Sequence, residues 1–225
     1  MRYLAISDIH GCFTALETLA NFARFDRDDV VITLGDYVDK GPDTRRALDW
    51  LIDYQQRGRL VPIRGNHDIM MLGARDSKKN FEDWFNEGGN QTLKSYGGDL
   101  KSVPDSHWQF LEATERYFEI ETHFFVHANA WPDLPLDEQP DFMLFWEFFN
   151  DPAPHESGKT MVCGHTSQRS FEPVNIGHAI CIDTRCFGGG WLSCLDITSG
   201  DLWQANERGE TQQRNIEEYL RIREE

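Results

Sequence analysis

The chain has 225 residues, 40% of them hydrophobic and 12% aromatic, enough to fill one sizeable core and too many for a disordered chain. Twenty-two basic residues stand against 38 acidic ones, a formal charge of −16, which argues against nucleic acid as a partner. No apolar run approaches the roughly 18 to 20 residues of a membrane span, and five cysteines without a CxxC pair read as free thiols of a cytoplasmic protein.

The opening MRYLAISDIHG reads as a first strand rather than a signal peptide. Residues 2–8 and 30–36 are β-branched, apolar runs that each end in an aspartate and a glycine-containing turn, as buried parallel strands do. Between them Leu16, Leu19, Ala20 and Ala23 recur at helical spacing after Thr14. Pro42 opens a second helix with Ala47, Leu48, Leu51 and Ile52 on one face, and residues 60–63 form a third strand running into RGNHD. This is β-α-β-α-β, with polar clusters at the C-terminal ends of the strands, where open α/β sheets place their sites.

Residues 73–100 predict helices around a turn-rich connection, HWQFLEAT a further helix, and 124–128 (FFVHA) a strand. Trp131 to Gly158 holds five of the nine prolines, seven acids and no Lys or Arg, and reads as a surface excursion with one aromatic helix, FMLFWEFF. Strands are expected at 160–163, 179–183, 191–195 and 200–203, spaced for a hairpin-rich sheet. A single catalytic domain over 1–205 and a polar C-terminal helix or tail over 206–225, striped by Ile216, Tyr219 and Leu220, complete the expected layout.

The strand ends collect Asp8 and His10; Asp36 and Asp39; Arg64, Asn66, His67 and Asp68; His127; and His165. Each alone has a plain structural use, such as closing a turn or packing in a core. Together they are a set of hard oxygen donors and imidazoles that suits manganese, iron or zinc better than calcium. Asp8 and His10, two apart on an extended segment, point to one side and can grip one ion. The number of candidates exceeds the needs of one tetrahedral ion and suggests two ions sharing a carboxylate, a clamp for displacement at phosphorus.

The segments SDIHG (7–11), GDYVDKG (35–41), RGNHD (64–68), VHA (126–128) and CGHT (163–166) resemble the calcineurin-like metallophosphoesterase signature in its phosphoprotein phosphatase form, as in the compact bacterial and phage serine/threonine phosphatases. IDTRCFGGGWLSCLDI (182–197) is similar to the closing strands of that family. The resemblance implies an α/β fold, a two-sheet β-sandwich flanked by helices, and two divalent ions, Mn2+ foremost with Fe or Zn as alternatives. Asp8 and His10 would hold the first ion, Asn66, His127 and His165 the second, and Asp36 both, with a hydroxide between the ions as nucleophile. His67, paired with Asp39, would protonate the leaving oxygen. Arg64 would offer its guanidinium fork to the phosphoryl group.

The chain departs from the family pattern at three places. Lys40 replaces an arginine, Glu147 follows Trp146 where an arginine is usual, and Arg185 follows Thr184 where glycine is usual. Arg185 or Arg169 is therefore the expected replacement for the missing guanidinium, with Lys40 as a point charge. The expected reaction is hydrolysis of phosphate monoesters, foremost phosphoserine and phosphothreonine in proteins. Hydrolysis of bis(nucleoside) tetraphosphates or other small phosphoesters is the alternative, and a metal-binding interaction scaffold the non-enzymatic one. No sequence feature sets an oligomeric state.

Overall fold

The computed structural model describes residues 1–221. Strands β1 (Tyr3–Ile6), β2 (Val30–Thr33) and β3 (Arg59–Pro62) run parallel, with Leu4 opposite Val31 and Val31 opposite Leu60. Helices α1 (Phe13–Phe22) and α2 (Thr44–Arg57) make the two crossovers. Helix α2 is closed at its start by the Asp43 carboxylate, which accepts from the Arg46 amide at 3.3 Å, and it buries Ala47, Leu48, Leu51 and Tyr54. A helical region follows, with α3 (Asn66–Gly73), α4 (Lys78–Trp84), α5 (Asn90–Ser95) and α6 (Asp105–Glu112).

The chain then enters a second sheet through β4 (Phe118–Glu119) and β5 (His123–Phe125). The proline-rich excursion carries α7 (Asp141–Trp146), which stops where Glu147 turns extended, so only part of FMLFWEFF is helical. Strands β6 (Thr160–Cys163), β7 (Val174–Asn175) and β8 (Ala179–Cys181) complete a five-stranded sheet in the order β4-β5-β6-β8-β7. Strands β9 (Leu192–Asp196), β10 (Asp201–Ala205) and β11 (Thr211–Asn215) return to the first sheet, in the order β11-β10-β9-β1-β2-β3. The later strands are thus divided between two sheets rather than forming one hairpin array.

Strand alternation distributes the core. On β1, Ala5 faces the second sheet and clusters with its Phe125, Val162 and Ile180, whereas Leu4 and Ile6 face the helices and pack with Leu16, Leu19, Leu48 and Leu51. A third cluster, with Phe124, Leu144, Phe145 and Met161, closes the outer face of the second sheet under the excursion. The expected fold class is the observed one: two mixed sheets flanked by helices.

The expected C-terminal helix is a correction. Residues 211–215 form an edge strand whose backbone pairs with β10, followed by one 3-10 turn, Ile216–Tyr219, that drops Ile216 into the core between the sheets. The polar stretch TQQRN misleads because an edge strand needs little apolar surface; its order comes from the ladder and from bonds such as Gln212 Nε2 to Gln204 Oε1 at 2.7 Å. This hairpin also serves α1, whose first turn has no side-chain cap of its own: the Ala15 amide donates to Glu207 Oε1 at 2.9 Å. Residues 222–225 of the expected tail lie outside the described residues.

Candidate metal centre

The loops after β1, β2, β3 and β6, and the segment after β5, converge on one buried cluster. Asp8, His10, Asp36, Asn66, His67 and His127 are all at most 7% exposed. Two ligand triads stand out, His10–Asp36–His67 and Asp8–Asp36–His127, with donor atoms within 4.8 Å of one another in each. Asp36 belongs to both, which is the position expected of a shared carboxylate. Its Oδ2 lies 3.3 Å from His10 Nε2 and its Oδ1 3.5 Å from His127 Nε2. The Asn66 Oδ1 sits 2.9 Å from His127 Nε2 and 3.1 Å from His165 Nδ1, so the three residues expected at the second ion meet at one point.

Backbone hydrogen bonds set this geometry. The Asp36 carbonyl accepts from the amides of Ile9 and His10 at 3.1 and 2.7 Å, locking the first loop to the second. The Asp68 carboxylate accepts from the amides of Asp36, Tyr37 and Gly65 at 2.9, 3.0 and 2.8 Å, locking the second to the third. Asp68 stood in RGNHD without an assigned role, and its function is to aim Asp36. The His10 and His127 rings each donate Nδ1–H to a backbone carbonyl, of Val38 at 2.8 Å and Leu34 at 2.7 Å, which leaves both Nε2 lone pairs facing the site. Gly65 and Gly164 are required by close approach: a Cβ would lie 2.1 Å from Asp36 Oδ1 at the first and 1.9 Å from Asp8 Oδ1 at the second.

Strain concentrates here. Among the described residues nine non-glycine residues have positive φ, and six of them are His10, Asp36, Asp39, Lys40, His165 and Arg185. Such conformations cost about 1 to 3 kcal/mol each and persist where surrounding contacts over-determine them.

The electrostatics fit two cations. Burial pushes the Asp8 carboxyl well above the usual range, and the nearby Asp183 and Asp36 carboxylates add to the shift. Burial also opposes ionisation of Asp36, but the His127, His67 and His10 rings and the Lys40 ammonium outweigh it and hold this carboxyl below its ordinary value. Burial, then Lys40, drive His10 well down; burial also lowers His127; burial, then His127, bring His165 to about 4. The imidazoles are thus neutral ligands at ordinary pH, grouped with buried acids whose mutual repulsion a cation would relieve. The Lys40 Nζ lies 3.2 Å from His10 Nε2.

His67 is held differently. Its Nδ1 lies 2.8 Å from Asp39 Oδ2, and Asp39 is fixed by Trp84 Nε1 at 2.9 and 3.0 Å and by Thr92 Oγ1 at 2.8 Å. Trp84 and Thr92 come from the region read as helices around a turn-rich connection, and no motif marks them. Burial raises the Asp39 carboxyl despite the opposing effect of His67.

The cations differ from expectation. Arg64 has two guanidinium nitrogens engaged within the protein: its Nε and Nη2 donate to Thr114 Oγ1 at 2.9 Å, Glu112 O at 2.8 Å and Thr114 O at 3.0 Å. The carbonyl oxygens at the end of α6 lack helical partners and capture the guanidinium, so Arg64 ties the loop after β3 to that helix. Arg169 is exposed and makes no side-chain hydrogen bond or ion pair among the described residues. Arg185 and Lys40 both flank Phe187, with Cζ and Nζ 5.6 and 4.7 Å from the ring centroid, and Phe187 packs edge-on against His10 at 4.9 Å. Glu147 is half-buried next to Trp146, whose carbonyl lies 3.2 Å from His165 Nε2. Asp183 went unassigned in the sequence; its carboxylate accepts from Ser167 Oγ at 2.5 Å and from the Arg185 amide at 2.9 Å, joining the loop after β6 to the turn after β8.

The family model for calcineurin-like phosphoesterases matches residues 1–185. The chain belongs to that family. Among curated proteins it is 37% identical over 149 residues to the symmetrical bis(5'-nucleosyl)-tetraphosphatase of Buchnera aphidicola subsp. Schizaphis graminum, covering 64% of this chain and 50% of that one. It is 37% identical over 87 residues to serine/threonine-protein phosphatase 1 of Salmonella typhimurium, covering 36% and 38%. The match therefore spans half or less of these relatives' lengths. Among solved structures, a putative diadenosine tetraphosphatase superposes with a TM-score of 0.68 at 21% identity, over 95% of this chain and 93% of that one. A cold-active protein-tyrosine phosphatase of Shewanella sp. superposes with 0.67 at 17% identity, over 94% and 80%. The His/Asp groups of this family member are suited to holding two ions. Among the described residues no helix is long and apolar enough to cross a membrane.

Proposed function

We propose that this phosphoesterase hydrolyses bis(5'-nucleosyl) tetraphosphates, a reading carried by the 149-residue similarity to a symmetrical tetraphosphatase. Asp8, His10 and Asp36 would hold one ion and Asp36, Asn66, His127 and His165 the other, manganese being the expected metal and iron or zinc the alternatives. When bound, such a pair supplies an activated water and neutralises phosphoryl charge. The protein's own part is to fix the donors, exclude bulk water and hold a proton. His67 keeps its Nδ1 on Asp39, which directs Nε2 outward as the donor to the departing oxygen. Lys40 and Arg185 are the side chains proposed to meet the phosphoryl oxygens, in place of Arg64.

A second reading rests on a separate observation. The Asp39–His67 pair, itself anchored by Trp84 and Thr92, suits a poor leaving group such as a serine alkoxide, whereas a nucleoside diphosphate leaves with less help. Phosphoserine and phosphothreonine peptides are therefore the competing substrates. The deciding experiment assays dinucleoside tetraphosphate, phosphopeptides, p-nitrophenyl phosphate and its bis-ester in parallel with Mn, Mg, Zn and Fe. A higher kcat/KM for the tetraphosphate than for every phosphopeptide is expected. The reverse order would transfer the assignment to protein phosphatase.

A further inference from the structure

A cavity of about 360 Å³ has Lys40, Gln91, Phe187, Asn206, Glu207 and Arg208 in its walls, and it adjoins the metal centre through Lys40 and Phe187. That volume is within the range of roughly 300 to 1,000 Å³ typical of small-molecule sites. Its position is set by shared residues. Phe187 packs on His10 at 4.9 Å, Lys40 Nζ reaches His10 Nε2 at 3.2 Å, and the His10 ring in turn meets His67 edge-on at 4.9 Å. Gln91 precedes Thr92, the hydroxyl that holds Asp39. The cavity therefore lies two ring contacts from His67, the group proposed to protonate the leaving oxygen.

Its chemistry is that of a site for a planar group attached to phosphate. Phe187 offers a half-buried ring. The side chain of Gln91 makes only one hydrogen bond among the described residues, accepted from exposed Lys94 at 3.3 Å, so its amide is available to a ligand edge. Asn206 is consumed in shaping the wall, because its side chain bonds Glu210 and the amides of Arg208 and Glu210. Lys40 stands between cavity and metal ligands, where the phosphate link would pass. We propose that this cavity, between Lys40, Phe187 and the turn joining β10 to β11, is the subsite for the nucleoside on the leaving side of the substrate. The proposal rests on the nucleotide reading above, and its test separates the two.

Calorimetric titrations of the metal-loaded protein with ADP and with inorganic pyrophosphate compare a ligand with and without the nucleoside. ADP is expected to bind about tenfold or more tightly, the scale of one base–aromatic stack. Gln91→Trp and Arg208→Trp, each of which puts a bulkier side chain at a residue lining the cavity, are each expected to remove that advantage while pyrophosphate binding persists. ADP binding no tighter than pyrophosphate, or an ADP advantage surviving in both variants, overturns the subsite. Wild-type protein that turns over phosphopeptides but no tetraphosphate, yet keeps a cavity-dependent ADP advantage, overturns the nucleotide reaction and leaves the subsite standing.

Discussion

The two halves of the metal centre are built by different means. The half from residues 8–68 uses three adjacent parallel strand ends, and their loops are stitched by backbone amides onto the Asp36 carbonyl and the Asp68 carboxylate. The half from residues 127–185 belongs to the second sheet, where backbone bonds such as Gly164 N–H to the His127 carbonyl at 2.8 Å are joined by side-chain ties between its loops: His165 against the Trp146 carbonyl, the Thr166 hydroxyl against the Phe149 amide at 2.8 Å, Ser167 against Asp183. Phe148, 57% exposed, stacks on His165 at 5.4 Å, whereas Phe187, the ring packed against His10 of the other half, is half-buried beside a cavity. The contrast predicts a rigid half that sets the chemistry and a more adjustable half that completes it.

The comparison breaks most severely at the residue both halves share. Asp36→Asn removes the only carboxylate common to both triads, and kcat/KM is expected to fall by about 10³-fold or more, with metal content per chain by elemental analysis falling too. Next comes His67→Asn, which should cost roughly 10²- to 10⁴-fold on alkyl phosphates with little change in metal content, and less on p-nitrophenyl phosphate. Equal losses on both substrates, with chemistry rate-limiting, would reject proton donation.

Smaller effects sharpen the contrast between halves. Asp68→Asn should weaken metal binding about 10- to 100-fold because it loosens Asp36, whereas Thr166→Val, which removes one bond in the other half, should weaken it less than tenfold. Metal titrations of both variants give the comparison directly; equal effects would erase the proposed difference in rigidity. The smallest effect is in pH dependence. His165 is held to about 4 in the folded chain, below its ordinary value near 6.5, so its neutral form contributes stability that is present above pH 6.5 and lost as pH falls toward 4. His165→Gln should therefore flatten the pH slope of unfolding free energy in metal-free protein over that window, by at most about 1.4 kcal/mol per pH unit. An unchanged slope would show that this ring is protonated equally in both states.

Legibility in the sequence followed the same division. The parallel β1-β2-β3 unit was readable because buried strands such as β2 appear as apolar runs, and each strand ran directly into the loop that carries its ligands. Strands β4 and β7 span two residues each, too short for any period to register, and β11 is polar enough to pass for a helix. Ligand identities were visible as residue types at strand ends, but their orientation was not. Arg64 has the right chemistry for a phosphate and spends it on the end of α6, a partner some fifty positions away. Trp84, Thr92 and Asp183 act through contacts at long sequence separation, which no local spacing encodes.

The left-handed residues have a consequence for anyone seeking a hardier variant. Replacing such a residue with glycine relieves steric conflict between Cβ and the backbone, an obvious route to a higher melting temperature. At His10, Asp36, Asp39, Lys40, His165 or Arg185 that route would delete the groups that define the site. Arg24 differs: it follows the end of α1 with φ of 53°, in the position where helices commonly place glycine, far in sequence from every candidate ligand of the second sheet. Thermal melts of Arg24→Gly should show whether heat resistance can be raised there with the catalytic loops left as they are, so that durability and turnover become separately adjustable properties of one chain.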